Sequence, residues 1–499
     1  MDDSTSAGIG VSLRGLLPDA DFAGARDIRV VSCCADSRQC RAGDLFVALP
    51  GTTDDGHRHI EQAIERGARA VLVERPLAGA QVPACIVPDT RTAYGLLCLA
   101  LAGNPQRDLK LIGVTGTNGK TTTSLLVASV LNSAGFATGL IGTLGCCDGV
   151  DFGPARLTTP SPPELANWLA RMVANGCSHA VVEVSSHALS QARVAGLEFD
   201  VAAVTNVAHD HLDYHESVDA YRTAKRRIFD HLSDEGMAVL NADDDVCTRY
   251  LTQIDSPALS VGVERPAEIS GAPIEQLISE QTFLLSAGDE TVPVRTPLVG
   301  SHNVSNCLVA TAVGLAYGID LPTIVRGLED VDKVPGRLER IECGQPFSVF
   351  VDYAHTAEAL DCVLDTLRGL TSGRVICVFG AGGDRDRRKR PAMGRAAERR
   401  ADVCILTSDN PRHEDPRQIA VDVLRGFREP DVVRVLFERA EAIGTALELA
   451  RPGDCVLIAG KGHEDYQLVG DERRYFDDRA FAREWLYEQQ NAAPTSRAA

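Results

Sequence analysis

The chain has 499 residues, 44% hydrophobic and 24% charged, an ordinary globular composition that excludes a largely disordered or collagen-like chain. At about 150 residues per domain, that length predicts roughly three domains. The formal charge, 50 − 69 = −19, excludes the broad basic surface of a general nucleic-acid binder, so an anionic ligand needs a local site of cations or backbone N–H groups.

Apolar strands alternate with helix-period segments along the chain, an α/β pattern. Residues 1–107 read as a small mixed α/β domain: Asp36-Ser37-Arg38, a run from Gly43 to Gly51, a helix carrying Ile60, Ala63 and Ile64, and a strand over 70–73. Gly103-Asn104-Pro105 punctuates its end. Residues 108–335 read as a central domain with a mostly parallel sheet, with strands over 111–115, 180–184 and 201–205 and a helix over 303–317. Residues 336–499 read as a Rossmann-like, doubly wound domain with strands over 348–353, 375–379, 403–407, 432–437 and 455–459. Ligands of such sheets gather at the strand C-termini. Pro335-Gly336 is the candidate hinge between these last two domains. No apolar run approaches the ~20 residues of a membrane-spanning helix, and the acidic start Met1-Asp2-Asp3 lacks a signal-peptide core. A cytoplasmic protein without membrane insertion is expected. The 15 cysteines are odd in number and include no C-x-x-C, which favours buried free thiols over disulfides or zinc.

Val114-Thr115-Gly116-Thr117-Asn118-Gly119-Lys120-Thr121-Thr122 ends a strand and opens a helix predicted over 122–133. Glycines let the loop curl its N–H groups inward, and the helix N-terminus adds positive potential. Lys120 can reach the β- and γ-phosphates of a nucleotide, and the Thr121 hydroxyl can ligate Mg²⁺. Val114 stands where the strict signature has glycine, so the loop is a shortened variant.

Glu183 ends a buried strand, where a carboxylate is costly unless paired or set at the sheet's ligand edge. Three histidines and two aspartates follow within residues 209–215 and suggest metal or phosphate chemistry. His209, His211 and Asp213 fit a metallo-hydrolase pattern, H-x-H-x-D-H, but Tyr214 stands where the last histidine is needed. A dinuclear hydrolase would also leave the phosphate loop unexplained. Lys225 flanks the apolar stripe Tyr221, Ala224, Ile228 and Phe229, and by default is a surface lysine with a buried stem.

Together, Gly116-Thr117-Asn118-Gly119-Lys120-Thr121, Glu183-Val184-Ser185-Ser186-His187, Asp210-His211-Leu212-Asp213 and Gly300-Ser301-His302-Asn303-Val304-Ser305-Asn306 resemble the Mur ligases. These are ATP-dependent amide ligases of peptidoglycan synthesis. Residues 351–356, 382–386, 409–412 and 460–466 are similar to those of the third-residue-adding members. Those enzymes join an amino acid to the D-Glu γ-carboxyl of UDP-N-acetylmuramoyl-L-Ala-D-Glu. The tetrapeptide Asp409-Asn410-Pro411-Arg412 is similar to that of the meso-diaminopimelate-adding type, whereas the lysine-adding type typically lacks the arginine.

The resemblance implies roles at matching positions. Lys120, Glu183, His211 and Lys225 would be catalytic. Thr121, Glu183, His211 and a carbamylated Lys225 would be the groups on the side of Mg²⁺, a hard cation suited to oxygen ligands. Gly116, Thr117, Asn118, Gly119, Lys120, Thr121, Thr122, Asn303, Asn306, Arg337 and Asp352 would serve ATP. Ser37, Thr52 and Thr53 match the uridine-binding region, and Thr158, Thr159, Ser185, Gln191 and Arg193 the muramoyl-peptide contacts. Arg385, Asp409, Asn410, Pro411, Arg412, Gly460 and Glu464 would hold diaminopimelate. That amino acid carries one carboxylate more than lysine, and Arg412 offers it a bidentate guanidinium. The chain is expected to act as a monomer with no nucleic-acid partner. The alternatives are a sibling ligase (lysine-adding or folylpolyglutamate-type) and a nucleotide-gated binding module without turnover.

Overall fold

The computed structural model describes residues 10–51, 54–77, 79, 81–208, 210 and 212–492, so the predicted site residues Thr52, Thr53 and His211 lie outside it. Packing gathers the chain into two compact units. One takes the chain up to Thr115 with Gly135–Ala202 and Ala224–Ala238; the other takes Gly116–Ala134, Ala203–Thr223 and the chain from Val239 onward.

In the first unit, a five-stranded sheet has the order Asp21–Ala23, Ala84–Ile86, Ala70–Val73, Leu45–Val47, Cys33–Cys34. All its pairs are parallel except that between Asp21–Ala23 and Ala84–Ile86. Phe46, Ala48, Val71 and Val73 bury one face with Ile60 and Ala63 of the helix Ile60–Glu65. A second run of strands has the order Phe152–Gly153, Gly145–Cys147, Thr138–Gly142, His179–Glu183, Lys110–Thr115. Its last three strands are parallel, with Glu183 opposite Val114. Glu183 therefore stands at a strand C-terminus. Gly142 makes room for it: a Cβ there would lie 2.1 Å from Glu183 Oε1.

In the second unit, the helix Lys120–Ser133 packs against Ser301–Ala316 and Leu321–Glu329. It begins two residues before the predicted start, so Lys120 and Thr121 sit in its first turn. The strands Ala258–Gly262, Ile269–Gln276, Gln281–Ala287 and Glu290–Thr296 form a run the sequence reading did not find. Ile269–Gln276 is exposed over its last five residues and lacks the continuous apolar run that marks a strand buried on both faces.

A six-stranded sheet, also in this unit, has the order Glu339–Arg340, Ser348–Asp352, Cys455–Ala459, Val375–Phe379, Val403–Leu406, Arg434–Val435. Its pairs are parallel except the first. Strand alternation explains the apolar runs. Val375, Cys377 and Phe379 face one core with Leu360, Leu364 and Met393, while Ile376 and Val378 face another with Ile443, Ala446 and Leu486. This is the predicted doubly wound arrangement. The strand predicted over 432–437 shrinks to Arg434–Val435, at the sheet edge, where Val432 is exposed. No helix among the described residues is long and apolar enough to cross a membrane. None of the fifteen cysteines is in a disulfide.

Candidate active site

The phosphate loop is braced from several sides. Gly119 caps the helix at φ 83°, and a Cβ there would lie 2.5 Å from Asn306 Oδ1. Thr117 N–H donates to the Asn206 carbonyl at 2.8 Å, and Thr205 Oγ1 donates to the Asn118 carbonyl at 2.6 Å. Asn118 N–H is held by Asn206 Oδ1 at 3.0 Å. Lys120 Nζ folds back onto the carbonyls of Gly116 and Thr117, at 2.7 and 3.0 Å. An ammonium resting on its own loop carbonyls is poised to exchange them for an anion. Thr121 and Thr122 are buried at the helix start.

Asn303 and Asn306 are buried on the helix Ser301–Ala316. Asn306 Nδ2 donates to Asn303 Oδ1 at 3.1 Å, and Thr123 Oγ1 donates to Asn306 Oδ1 at 3.2 Å. Asn306 thus buttresses the loop. Arg337 stacks on the Tyr353 ring at 4.5 Å and reaches Thr121 Oγ1 at 3.4 Å. Asp352 accepts the N–H groups of Leu338 and Ala354, and burial pushes its carboxyl above the usual range. We expect Gly119→Ala to displace Asn306 and to cost about 1–3 kcal/mol from strain and overpacking together; a lower denaturant midpoint with weaker nucleotide binding is the expected result.

In the first unit, the buried Glu183 accepts from Thr143 N–H at 3.0 Å and Thr143 Oγ1 at 2.8 Å. Thr143 Oγ1 also lies 3.1 Å from Thr158 Oγ1. Thr159 donates to the Glu183 carbonyl and accepts from Ser185 N–H. Arg193 donates to the Thr159 carbonyl and forks onto Gln191 Oε1. Thr158, Thr159, Glu183, Ser185, Gln191 and Arg193 therefore form one connected patch. Lys225 is only 1% exposed, which corrects the expectation of a surface lysine: its helix, Val218–Arg226, turns that face inward. Ser37 lines a separate cavity of about 450 Å³ with Asp36, Arg38, His59 and Gln62, and its hydroxyl donates to Gln62 Oε1 at 2.6 Å.

A cavity of about 480 Å³ in the second unit gathers Arg385, Asp409, Asn410, Arg412, Gly460 and Glu464. Pro411 faces a small neighbouring pocket instead. Arg412 is held at φ 51° by its N–H on the Leu468 carbonyl and its carbonyl on Gly470 N–H. Its guanidinium donates once, to the Gly383 carbonyl at 2.7 Å, and has no carboxylate partner among the described residues. Lys461, fully buried, donates to both Asn410 Oδ1 and Glu464 Oε2 at 3.2 Å. Burial pushes Asp409 up, but Lys461, Arg439, His355 and the Asn410 N–H together hold the carboxyl below its usual value.

The sequence reading missed the supports of this cavity. Arg439 and Asp478 are a fully buried ion pair, and Arg439 also holds the carbonyls of Ser408 and Ala459, just before Asp409 and Gly460. Tyr353, His355 and Lys389 also line the cavity. Lys389 lies in the basic run 385–390, which was the only signal for it. Arg390 in the same run is fully buried, paired with Glu414 and Asp422 and bonded to the Gly382 carbonyl. Arg390→Met takes the shared cation from two carboxylates that keep only the exposed Arg387 and Arg425, and we expect it to cost about 1–3 kcal/mol at neutral pH. The Arg390 hydrogen bond is the largest cause holding Glu414 below 4.5, with burial opposing it. Stability from that pairing is present above the unfolded value and is lost as pH falls through the lowered folded value. Urea denaturation of both proteins should therefore show the difference shrinking below about pH 4.

Three family profiles match the chain in order: "Mur ligase family, catalytic domain" over residues 29–99, "Mur ligase middle domain" over 114–314 and "Mur ligase, glutamate ligase domain" over 336–462. A UDP-N-acetylmuramoyl-L-alanyl-D-glutamate–2,6-diaminopimelate ligase of Geobacillus thermodenitrificans is 45% identical over 467 residues, 92% of this chain and 95% of that one. The chain belongs to the Mur ligase family. A ligase of the same description from Synechococcus elongatus is 44% identical over 484 residues, 94% of this chain and 96% of that protein. A solved structure, also described as a UDP-N-acetylmuramoyl-L-alanyl-D-glutamate–2,6-diaminopimelate ligase, superposes with a TM-score of 0.68 at 33% identity. It covers 97% of this chain and 100% of its own. Membership makes this chain an ATP-dependent amide ligase. It removes the metallo-hydrolase reading of residues 209–213.

Proposed function

We propose that this Mur ligase joins meso-2,6-diaminopimelate to the D-Glu γ-carboxyl of UDP-N-acetylmuramoyl-L-Ala-D-Glu in peptidoglycan precursor synthesis. The observation that carries the choice of amino acid is Arg412, a guanidinium in the cavity with Asn410 and Glu464 and with no carboxylate partner among the described residues. The relatives' descriptions agree with it. Three domains over 1–107, 108–335 and 336–499 divide the substrates, the first taking the UDP moiety through the region of Ser37, Thr52 and Thr53. The protein is cytoplasmic and works as a monomer.

ATP lies on the phosphate loop, its β- and γ-phosphates against the loop N–H groups and Lys120. The γ-carboxylate of the dipeptide attacks the γ-phosphorus, giving an acyl phosphate and ADP. The free amine of diaminopimelate attacks the acyl carbon. The tetrahedral intermediate gives up one proton of the attacking nitrogen to solvent, expels phosphate and leaves an amide. Lys120 neutralises charge on the transferring phosphoryl group, and the loop holds the nucleotide in line. By the family resemblance Thr121, Glu183 and His211 would be the groups on the side of Mg²⁺, a hard cation suited to the oxygens of the first two. Mg²⁺, when bound, supplies charge neutralisation at the phosphates. Lys225 would join that set as a carbamate: CO₂ adds to the neutral amine, one proton leaves, and a buried cation becomes an oxygen donor. Glu464 and Asn410 orient the amino acid's ammonium, while Arg412, supported by Arg385, takes the distal carboxylate.

The test is phosphate release from ATP and Mg²⁺ with the UDP-muramoyl-dipeptide, run with meso-diaminopimelate, with L-lysine and with no amino acid. Release with diaminopimelate alone supports the proposal. Release with lysine keeps the ligase and discards the specificity; no release in any tube returns the binding-module reading.

A further inference from the structure

Cys34, Cys40 and Asp44 belong to the first unit and lie within one stretch of chain. Cys34 ends a strand, Cys40 follows the short helix Ser37–Gln39, and Asp44 immediately precedes the strand Leu45–Val47. One ligand atom from each, the two Sγ atoms and a carboxylate oxygen, all lie within 4.8 Å of one another. Cys40 and Asp44 are buried, and Cys34 is half-buried.

Two features set this cluster apart from the other cysteines. First, Asp44 is a buried carboxylate with no Lys, Arg or His partner among the described residues. Its oxygens accept from the Ser32 hydroxyl and from Arg41 N–H, at 2.8 Å for the latter. Buried carboxylates are normally paired with a cation or bound to a metal. Those two donors fix the carboxylate's orientation and leave lone pairs on both oxygens, as supporting groups around a metal ligand do. Second, the Cys34 and Cys40 thiols meet each other, and burial first, then the contact with Cys40, push the Cys34 thiol up. The neighbouring Cys33 turns to the opposite face, against Cys98.

We propose that Cys34, Cys40 and Asp44 form a site for a thiophilic divalent cation, zinc in particular, with solvent as fourth ligand. Two thiolates and a carboxylate suit zinc and exclude Mg²⁺, which takes oxygen ligands. Binding releases the two thiol protons, and the metal takes their place. The span is short, so little loop entropy opposes closure. Residues 35–38 lie between the two cysteines and line the cavity around Ser37. The metal therefore staples both ends of that loop. That the cavity takes the UDP moiety rests on the proposed function; the metal site does not.

The full-length protein, stripped with a chelator and kept reduced by a phosphine, is titrated with Co²⁺ and then Zn²⁺. The expected result is one Co²⁺ per chain with thiolate-to-cobalt charge-transfer absorption, bleached by Zn²⁺. The Cys34→Ser/Cys40→Val double variant loses the band, with its circular dichroism spectrum unchanged. Asp44→Asn, which keeps the side chain's size, weakens Zn²⁺ at least about tenfold. Cys362→Ser, an exposed thiol elsewhere, keeps the band. A wild-type protein with no such band, or a double variant that retains it, overturns the site.

Discussion

Lys120→Ala lowers turnover by at least about 10²–10³-fold, the loss that follows removal of one preorganised donor from a developing charge, and leaves the fold intact. The side chain is half-buried, and its ammonium donates to the loop carbonyls of Gly116 and Thr117, at 2.7 and 3.0 Å. Its removal opens no apolar cavity. The loop itself is held by Thr205, Asn206 and Asn306, which do not depend on the ammonium. The defect should fall on kcat, because the cation acts on charge that moves during phosphoryl transfer. Steady-state kinetics with a thermal melt on the same sample check both halves. Near wild-type turnover would remove Lys120 from the phosphoryl site.

Arg412→Ala raises the KM for diaminopimelate by about 10–100-fold and narrows the preference over lysine. A charge-assisted hydrogen bond contributes about 1.5–3 kcal/mol net, which spans that range. A site built around a polar group also rejects analogues that lack it, since its own donor is then buried unpaired. Arg412→Ala removes that rejection as well, so lysine should gain while diaminopimelate loses. Arg412→Lys does not restore the preference, because a point charge cannot reproduce the planar fork. The KM for ATP should stay unchanged in both variants. An unaltered ratio of kcat/KM for the two amino acids would place selectivity elsewhere.

The phosphate loop was legible because its chemistry is local. Glycines, a lysine and two threonines between strand and helix carry the whole argument within nine residues. The doubly wound sheet was legible because strands buried on both faces read as apolar runs. The strands after Ala258 were not, because their exposed faces break the apolar pattern. The amino-acid cavity came from resemblance, not from physics: residues 385, 412 and 464 meet only through the folded sheet. Buried charges were the hardest to read. Lys225, Arg390, Arg439 and Lys461 look like surface residues by type, and the partner of Arg439 is 39 residues away. Nothing local signals such a pair, since the stabilising contact exists only after the chain folds.

The most direct measurement is a competition in one tube. The protein receives ATP, Mg²⁺, UDP-N-acetylmuramoyl-L-Ala-D-Glu and equal amounts of meso-diaminopimelate and L-lysine, and the product is read by mass. The account predicts a single UDP-muramoyl-tripeptide carrying diaminopimelate, formed in step with ADP and phosphate. A product carrying lysine, or ATP hydrolysis with no tripeptide, would contradict it.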